Sequence, residues 1–156
     1  MTTIIDAMTE SEIGFGRWFG GDSWANWRTI LKAAFALPMT AEKLVVFGEL
    51  AGGRELPTKR VRELWIAAGR RAGKDSIASL LATYAATIEE AHVGRLRPGE
   101  LATVQCLACD REQAQIVLGY VKAFFEEIPD LKAPHRARDA AGARAREQGE
   151  RHGRDE

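Results

Sequence analysis

The sequence predicts an α/β protein in which an incomplete parallel sheet carries flanking helices. Two apolar stretches of strand length, residues 63–68 and 101–109, are each followed by a segment with helical periodicity. A glycine-rich turn separates the first stretch from its helix. Strands that alternate with amphipathic helices are typical of parallel pairing, and near-continuous apolar strands are typical of burial on both faces of a sheet.

The composition is that of one globular domain. The chain has 156 residues, of which 46% are hydrophobic and 28% charged, so it is too apolar for global disorder. Basic and acidic residues each number 22, so the net charge gives no indication of nucleic-acid binding. The first residues lack a basic leader with an apolar run, and no apolar stretch reaches the length of a membrane span. We therefore expect neither a secretory signal nor a membrane segment.

Residues 1–62 predict a helical N-terminal segment. Asp22 or Ser23 is placed to cap a helix whose apolar residues recur at helical spacing as far as Phe35. Pro38 is expected to end this helix because proline cannot continue it.

A second helix of the same segment is predicted from about Thr40 to the pair Gly52-Gly53. The segment also holds three of the four tryptophans and four phenylalanines. Two interpretations of these aromatic residues stand: packing in the core and between helices, or a wall against an adenine ring.

The middle region, residues 63–132, reads as strand, loop, helix, strand and helix. We expect strands at 63–68 and 101–109, joined by a right-handed crossover helix at 73–91. Asp110 is placed to cap the last helix. Since nothing apolar follows to complete the sheet, the sequence also predicts an exposed sheet edge and an uncovered apolar face.

The last region, residues 133–156, is predicted to be a disordered tail. It contains six arginines, six alanines and five acidic residues, but no Val, Ile, Leu, Met, Phe, Trp or Tyr. Such a segment cannot bury enough apolar area to offset the entropy lost on ordering.

The glycine-rich turn is a candidate phosphate-binding loop. The pattern G-x-x-x-x-G-K-[ST] between a strand and a helix places backbone N–H groups and a lysine around phosphate oxygens. Here Ala68 occupies the first glycine position and Asp75 the Ser/Thr position, so the match is partial, and a coincidental glycine-rich turn is the alternative. The candidate nucleotide-binding residues are Gly69, Arg70, Arg71, Ala72, Gly73, Lys74, Asp75 and Ser76.

Asp75 is the candidate ligand for Mg²⁺, which accompanies bound ATP in such sites. A carboxylate can bind Mg²⁺, but it also places a negative charge near an anionic ligand. Ser76 could supply a hydroxyl instead, although one step along a helix rotates it by about 100°. The other interpretation of Asp75 is a carboxylate favoured by the helix dipole.

The motif Gly69-Arg-Arg-Ala-Gly-Lys74, preceded by Arg62-Glu-Leu-Trp-Ile66, resembles the variant Walker A motif of phage terminase large subunits. The resemblance continues through Pro98-Gly-Glu100 and Asp110-Arg-Glu-Gln-Ala114 and spans roughly residues 40–132. It implies a P-loop NTPase-type sheet and an ATPase that drives double-stranded DNA into a capsid.

The resemblance further implies two catalytic residues. Lys74 would bind the β and γ phosphates, and Arg70 would act in cis on the γ-phosphate, since a guanidinium offsets charge on a transferred phosphoryl group. A solvated basic turn is the alternative for Arg70 and Arg71. The implied cofactors are ATP and Mg²⁺, the implied partners are DNA, the portal and the small terminase subunit, and the implied location is the cytoplasm of a bacterial host.

The later motifs of that family, an acidic Walker B strand, a coupling motif and a nuclease domain, are not visible. The stretch from Val104 to Asp110 is a weak rival for Walker B, because Arg111 stands where a second acid is expected. The alternatives are a catalytically silent truncated or frameshifted remnant, or another small P-loop NTPase with Asp110 as metal ligand.

Cys106 and Cys109 have C-x-x-C spacing without a second Cys or His pair. We expect buried structural thiols, with metal binding or redox chemistry as the alternative.

Overall fold

Helices are the regular secondary structure of the residues described by a computed structural model, which are 2–10, 14–89, 95–97 and 99–131, and extended loops connect them. Within these ranges no residue belongs to a β-strand. The elements in chain order are α1 Ile4–Thr9, α2 Gly16–Phe19, a 3₁₀ turn Asp22–Trp24, α3 Ala25–Ala34, α4 Ala41–Leu50, α5 Lys74–Thr87 and α6 Arg111–Glu127.

The predicted α/β fold, with its parallel P-loop NTPase-type sheet, is therefore wrong. Residues 63–68 and 101–108 belong to no helix or strand, and all of their apolar residues except the partly buried Ala68 are exposed. The side chains of Trp65, Leu101 and Leu107 are 88%, 89% and 84% exposed. A strand needs a neighbour for its backbone N–H and C=O groups, and neither segment has one in the described chain. An apolar run alone does not supply that neighbour.

The core lies among α1, α2, α3, α5 and α6. Phe15, Phe19, Leu31 and Leu80 are fully buried there together with Phe124 of α6. The rings of Phe15 and Phe124 meet edge to face with centroids 5.2 Å apart, a favourable aromatic geometry. Packing of the N-terminal aromatic residues in the core, one of the two interpretations drawn from the sequence, is confirmed for Phe15 and Phe19.

The helix α3 begins and ends differently from the prediction. The 3₁₀ turn Asp22–Trp24 leads into it, and its N-cap residue Trp24 makes no side-chain capping bond. The helix ends at Ala34, before Pro38. Ala36 has φ 53° and the Leu37 N–H donates to the Lys32 carbonyl at 2.8 Å, which is a Schellman ending.

The helix α4 has the predicted limits. The Thr40 side chain accepts a hydrogen bond from the Lys43 N–H at its start. At its end Gly52 has φ 62°, and the Gly53 N–H donates to the Gly48 carbonyl at 2.8 Å. This helix packs on α3 and buries none of its residues completely.

The helices α5 and α6 pack against each other. The buried Ser79 Oγ lies 2.7 Å from the Asp75 carbonyl oxygen and 3.1 Å from the Val117 carbonyl oxygen, so a small hydroxyl links the two helices. As predicted, the Asp110 side chain caps α6, accepting the Gln113 N–H at 2.7 Å.

The predicted crossover helix is shorter than expected. It begins at Lys74 and ends at Thr87, whereas the prediction ran to Ala91. The predicted disordered tail, residues 133–156, lies outside the described residues. No helix in the described ranges is long and apolar enough to cross a membrane.

Candidate phosphate-binding loop

The loop of residues 69–73 is a tight turn that leads directly into α5. The Ala72 N–H donates to the Gly69 carbonyl at 3.3 Å. Arg71 and Gly73 have positive φ angles of 64° and 77°. The Ile77 N–H then donates to the Gly73 carbonyl at 3.0 Å, which closes the first turn of the helix. Successive residues of opposite backbone handedness are typical of anion-binding nests.

The start of α5 has no capping side chain. Its N-cap residue is Gly73, and glycine has no side chain that could accept a hydrogen bond. The N–H groups of Lys74, Asp75 and Ser76 lie in the first helical turn, where no acceptor within the helix exists. These groups carry the partial positive charge of the helix N-terminus and can bind an anion.

The charged side chains of the loop are accessible. Arg70 and Arg71 are exposed, and the side chains of Lys74 and Asp75 are each about half exposed. Lys74 Nζ lies 4.0 Å from Asp75 Oδ2, at the limit of an ion pair. An exposed pair at that distance is weak, so Lys74 can leave Asp75 for a phosphate oxygen.

Two tryptophans at the start of α3 hold the loop. Trp27 Nε1 donates a hydrogen bond to the Ala72 carbonyl at 2.7 Å. The six-membered ring of Trp24 lies against Gly73, where a Cβ would come within 2.7 Å of two ring carbons. The hydrogen bond from Trp27 joins residues 45 positions apart, and no local sequence pattern indicates such a contact.

Asp75 lies in the first turn of α5, beside the loop. The described residues contain no group of three or more His, Cys, Asp or Glu side chains that could together hold a metal ion. Mg²⁺ at a phosphate site commonly uses one or two carboxylates and completes its shell with water and phosphate oxygens. Asp75 can therefore serve as one ligand of an ATP-bound ion. Asp110, the rival metal ligand, is engaged as the cap of α6.

The two cysteines differ from the prediction. Cys106 and Cys109 are both free and exposed, whereas buried thiols were expected. The expectation depended on a buried strand at 101–109, and this segment is not packed. Cys109 Sγ lies 3.1 Å from Gln113 Oε1.

A cavity of about 570 Å³ lies between α3, α4 and the segment that leads into the loop. Phe47, Val61 and Trp65 are among its apolar lining residues, and the lining extends to Ala67, two positions before Gly69. The segment is attached to α3 by a hydrogen bond from the Val61 N–H to the Ala34 carbonyl, 2.9 Å long.

Comparisons of the chain with protein-family models, with curated proteins and with solved structures find no match.

Proposed function

We propose that this chain binds ATP with Mg²⁺ through residues 69–76, as the nucleotide-binding front part of a DNA-packaging ATPase of the phage terminase type. The observation that carries the proposal is the loop itself. Arg71 and Gly73 have left-handed backbone conformations, and the helix that follows has no capping side chain. Three cationic side chains lie in the same short stretch, those of Arg70, Arg71 and Lys74.

Each part of the loop has a role in this proposal. The N–H groups of Lys74, Asp75 and Ser76 bind phosphate oxygens, and the Lys74 ammonium pairs with the β and γ phosphates. Arg70 offsets charge on the γ-phosphate, and Asp75 supplies a carboxylate to Mg²⁺.

The cavity upstream of the loop supports a nucleotide rather than a free phosphate. Its volume of about 570 Å³ is within the range of small-molecule sites, and the apolar part of its open, mixed lining has room for a planar base. Phe47 is one of the aromatic residues considered for an adenine wall and lies in this lining, and Trp65 adds a second aromatic ring.

Binding of a fluorescent ATP analogue tests the proposal. Lys74→Ala is expected to weaken binding at least about ten-fold, which corresponds to about 1.4 kcal/mol for a lost charged contact. Lys122→Ala on α6 is the matched control, since this lysine is also exposed, and should bind like the unchanged protein. Equal affinity of the two variants, or no binding by the unchanged protein at millimolar nucleotide, contradicts the proposal.

A second candidate is a remnant that binds nucleotide without hydrolysing it. The exposed apolar side chains of Trp65, Leu101 and Leu107 favour it, because they mark segments whose packing partners are not among the described residues. Steady-state phosphate release decides between the two. Release equal to that of Lys74→Ala supports the silent remnant, and release clearly above it rejects this candidate.

The partners of a whole motor, which are double-stranded DNA, the portal and the small terminase subunit, are proposed from the resemblance alone.

A further inference from the structure

We infer that Trp27 is a positioning residue of the loop, whose indole N–H fixes the peptide between Ala72 and Gly73 in the orientation that suits anion binding. That this orientation serves anion binding rests on the proposed function. The orientation itself is a property of the free protein and can be tested without a ligand.

The hydrogen bond from Trp27 is short and well protected. It measures 2.7 Å, at the short end of the range for N–H donors, and Trp27 is 9% exposed. An indole N–H can only donate, and once buried it needs an acceptor. The Ala72 carbonyl is the acceptor that the loop provides.

Because the peptide group is planar, the hydrogen bond to the Ala72 carbonyl also fixes the direction of the next N–H group, that of Gly73. In a trans peptide the C=O and the following N–H point in opposite directions. Because the Ala72 carbonyl points toward Trp27, the Gly73 N–H points away from it. Rotation of this peptide would break the bond and leave a buried donor unsatisfied, so the indole opposes it.

Trp24 restrains the same peptide from its other end. Its ring lies so close to Gly73 that only a hydrogen fits there, and Gly73 keeps its φ of 77°. Trp24 also meets the buried Phe19 edge to face, with centroids 4.9 Å apart. Through these contacts the loop is attached to the core and to the start of α3.

The substitution Trp27→Phe removes the donor and retains an aromatic ring. Amide hydrogen exchange of the free protein is the first measurement. Exchange at the two hydrogen-bonded amides of the loop, those of Ala72 and Ile77, should become several-fold faster, while exchange in α6 stays unchanged. Trp18→Phe is the control, since the Trp18 ring packs on Phe124 and should leave the loop unaffected. Unchanged exchange at the loop in Trp27→Phe overturns the inference.

Binding of inorganic triphosphate separates this inference from the proposed function. If the unchanged protein binds it, Trp27→Phe should bind on the order of ten-fold more weakly, the effect of one well-formed hydrogen bond. Equal affinity overturns the role of Trp27 in anion binding. If the unchanged protein binds neither triphosphate nor ATP, while loop exchange still rises in Trp27→Phe, the proposed function fails and the positioning of the loop stands.

A measurement on the unchanged protein covers the case in which Trp27→Phe does not fold. The indole proton of Trp27 should exchange slowly with solvent, and that of Trp65, which is 88% exposed, should exchange fast. Equally fast exchange of the two protons overturns the inference.

Discussion

At the residue scale, α3 and α4 end with the same backbone geometry but have different residues at the left-handed position. In both, the second residue after the helix has a left-handed backbone, and the third donates an N–H bond back into the last turn. Gly52 occupies the left-handed position after α4, and Ala36 occupies it after α3. An L side chain in that conformation is strained, and glycine is not.

Replacement of Ala36 by glycine is therefore expected to raise the free energy of unfolding by about 0.5–1 kcal/mol, after allowance for the greater entropy of glycine in the unfolded chain. Gly52→Ala, the reciprocal change, should lower it by about 1 kcal/mol. Urea unfolding monitored by circular dichroism measures both. A stabilising effect of Gly52→Ala, or a destabilising one of Ala36→Gly, would contradict this account.

The capping box of α1 predicts a dependence on pH. The Thr3 N–H donates to Asp6 Oδ2 at 2.8 Å, and hydrogen bonds from the Thr3 backbone and side chain lower the pKa of Asp6 below its ordinary value of 3.8. A carboxyl group whose pKa is lowered on folding stabilises the protein above its unfolded pKa. That stability is lost as the pH falls through the folded pKa.

The difference in unfolding free energy between the unchanged protein and Asp6→Asn should accordingly be constant near neutral pH and shrink below 3.8. Denaturant unfolding at a series of pH values checks it, with Asp22→Asn as a control. A difference that is independent of pH would show that the charge of Asp6 has no part in the cap.

At the element scale, α3 to α6 were predicted from the sequence, α1 and α2 were not predicted as separate helices, and the two predicted strands were wrong. Thr40, Gly52 and Asp110 mark helix limits by hydrogen bonds within a few residues, so the sequence contains the whole signal. A strand is stabilised by a neighbour that lies far along the chain, and an apolar run such as that around Trp65 does not reveal whether this neighbour exists. The contact of Trp27 with the loop could not be predicted either, because its partner also lies far along the chain. The loop itself and the start of α5 were predicted from local residues.

The cap of α6 gives a prediction at this scale. Asp110→Ala should lower the free energy of unfolding by about 1 kcal/mol, because the Gln113 N–H loses its acceptor. Asp110→Asn keeps an acceptor oxygen and should cost much less. Thermal unfolding of both variants measures the effect. If asparagine is as damaging as alanine, the charge of Asp110 matters beyond the cap, which would revive a metal-binding role.

At the scale of the whole molecule, the exposed apolar segments decide how the protein behaves in solution. Leu101 and Leu107 are mostly exposed, and so is Trp65. Apolar side chains of this exposure in segments without backbone partners favour association. The packed part of the described chain is correspondingly small, so we expect marginal stability.

Sedimentation velocity over a range of concentrations should show reversible self-association. The double substitution Leu101→Lys and Leu107→Lys should reduce it, since two charges in the segment oppose apolar contact. A double change of exposed residues on α4, Glu42→Asp and Glu49→Asp, should have no effect. A well-behaved monomer with a sharp melt at high temperature would show that the helices close a complete core.

The hydrogen bond between Trp27 and the loop has a practical consequence for nucleotide chemistry. The emission of an indole responds to the polarity and hydrogen bonding around its N–H, and here that N–H is bonded to the peptide that precedes α5. A ligand that binds the N–H groups of the loop and shifts this peptide changes the surroundings of the Trp27 indole. Occupancy of the loop can thus be followed by intrinsic fluorescence, without a labelled nucleotide, and in Trp27→Phe the contribution of this indole to the signal is lost.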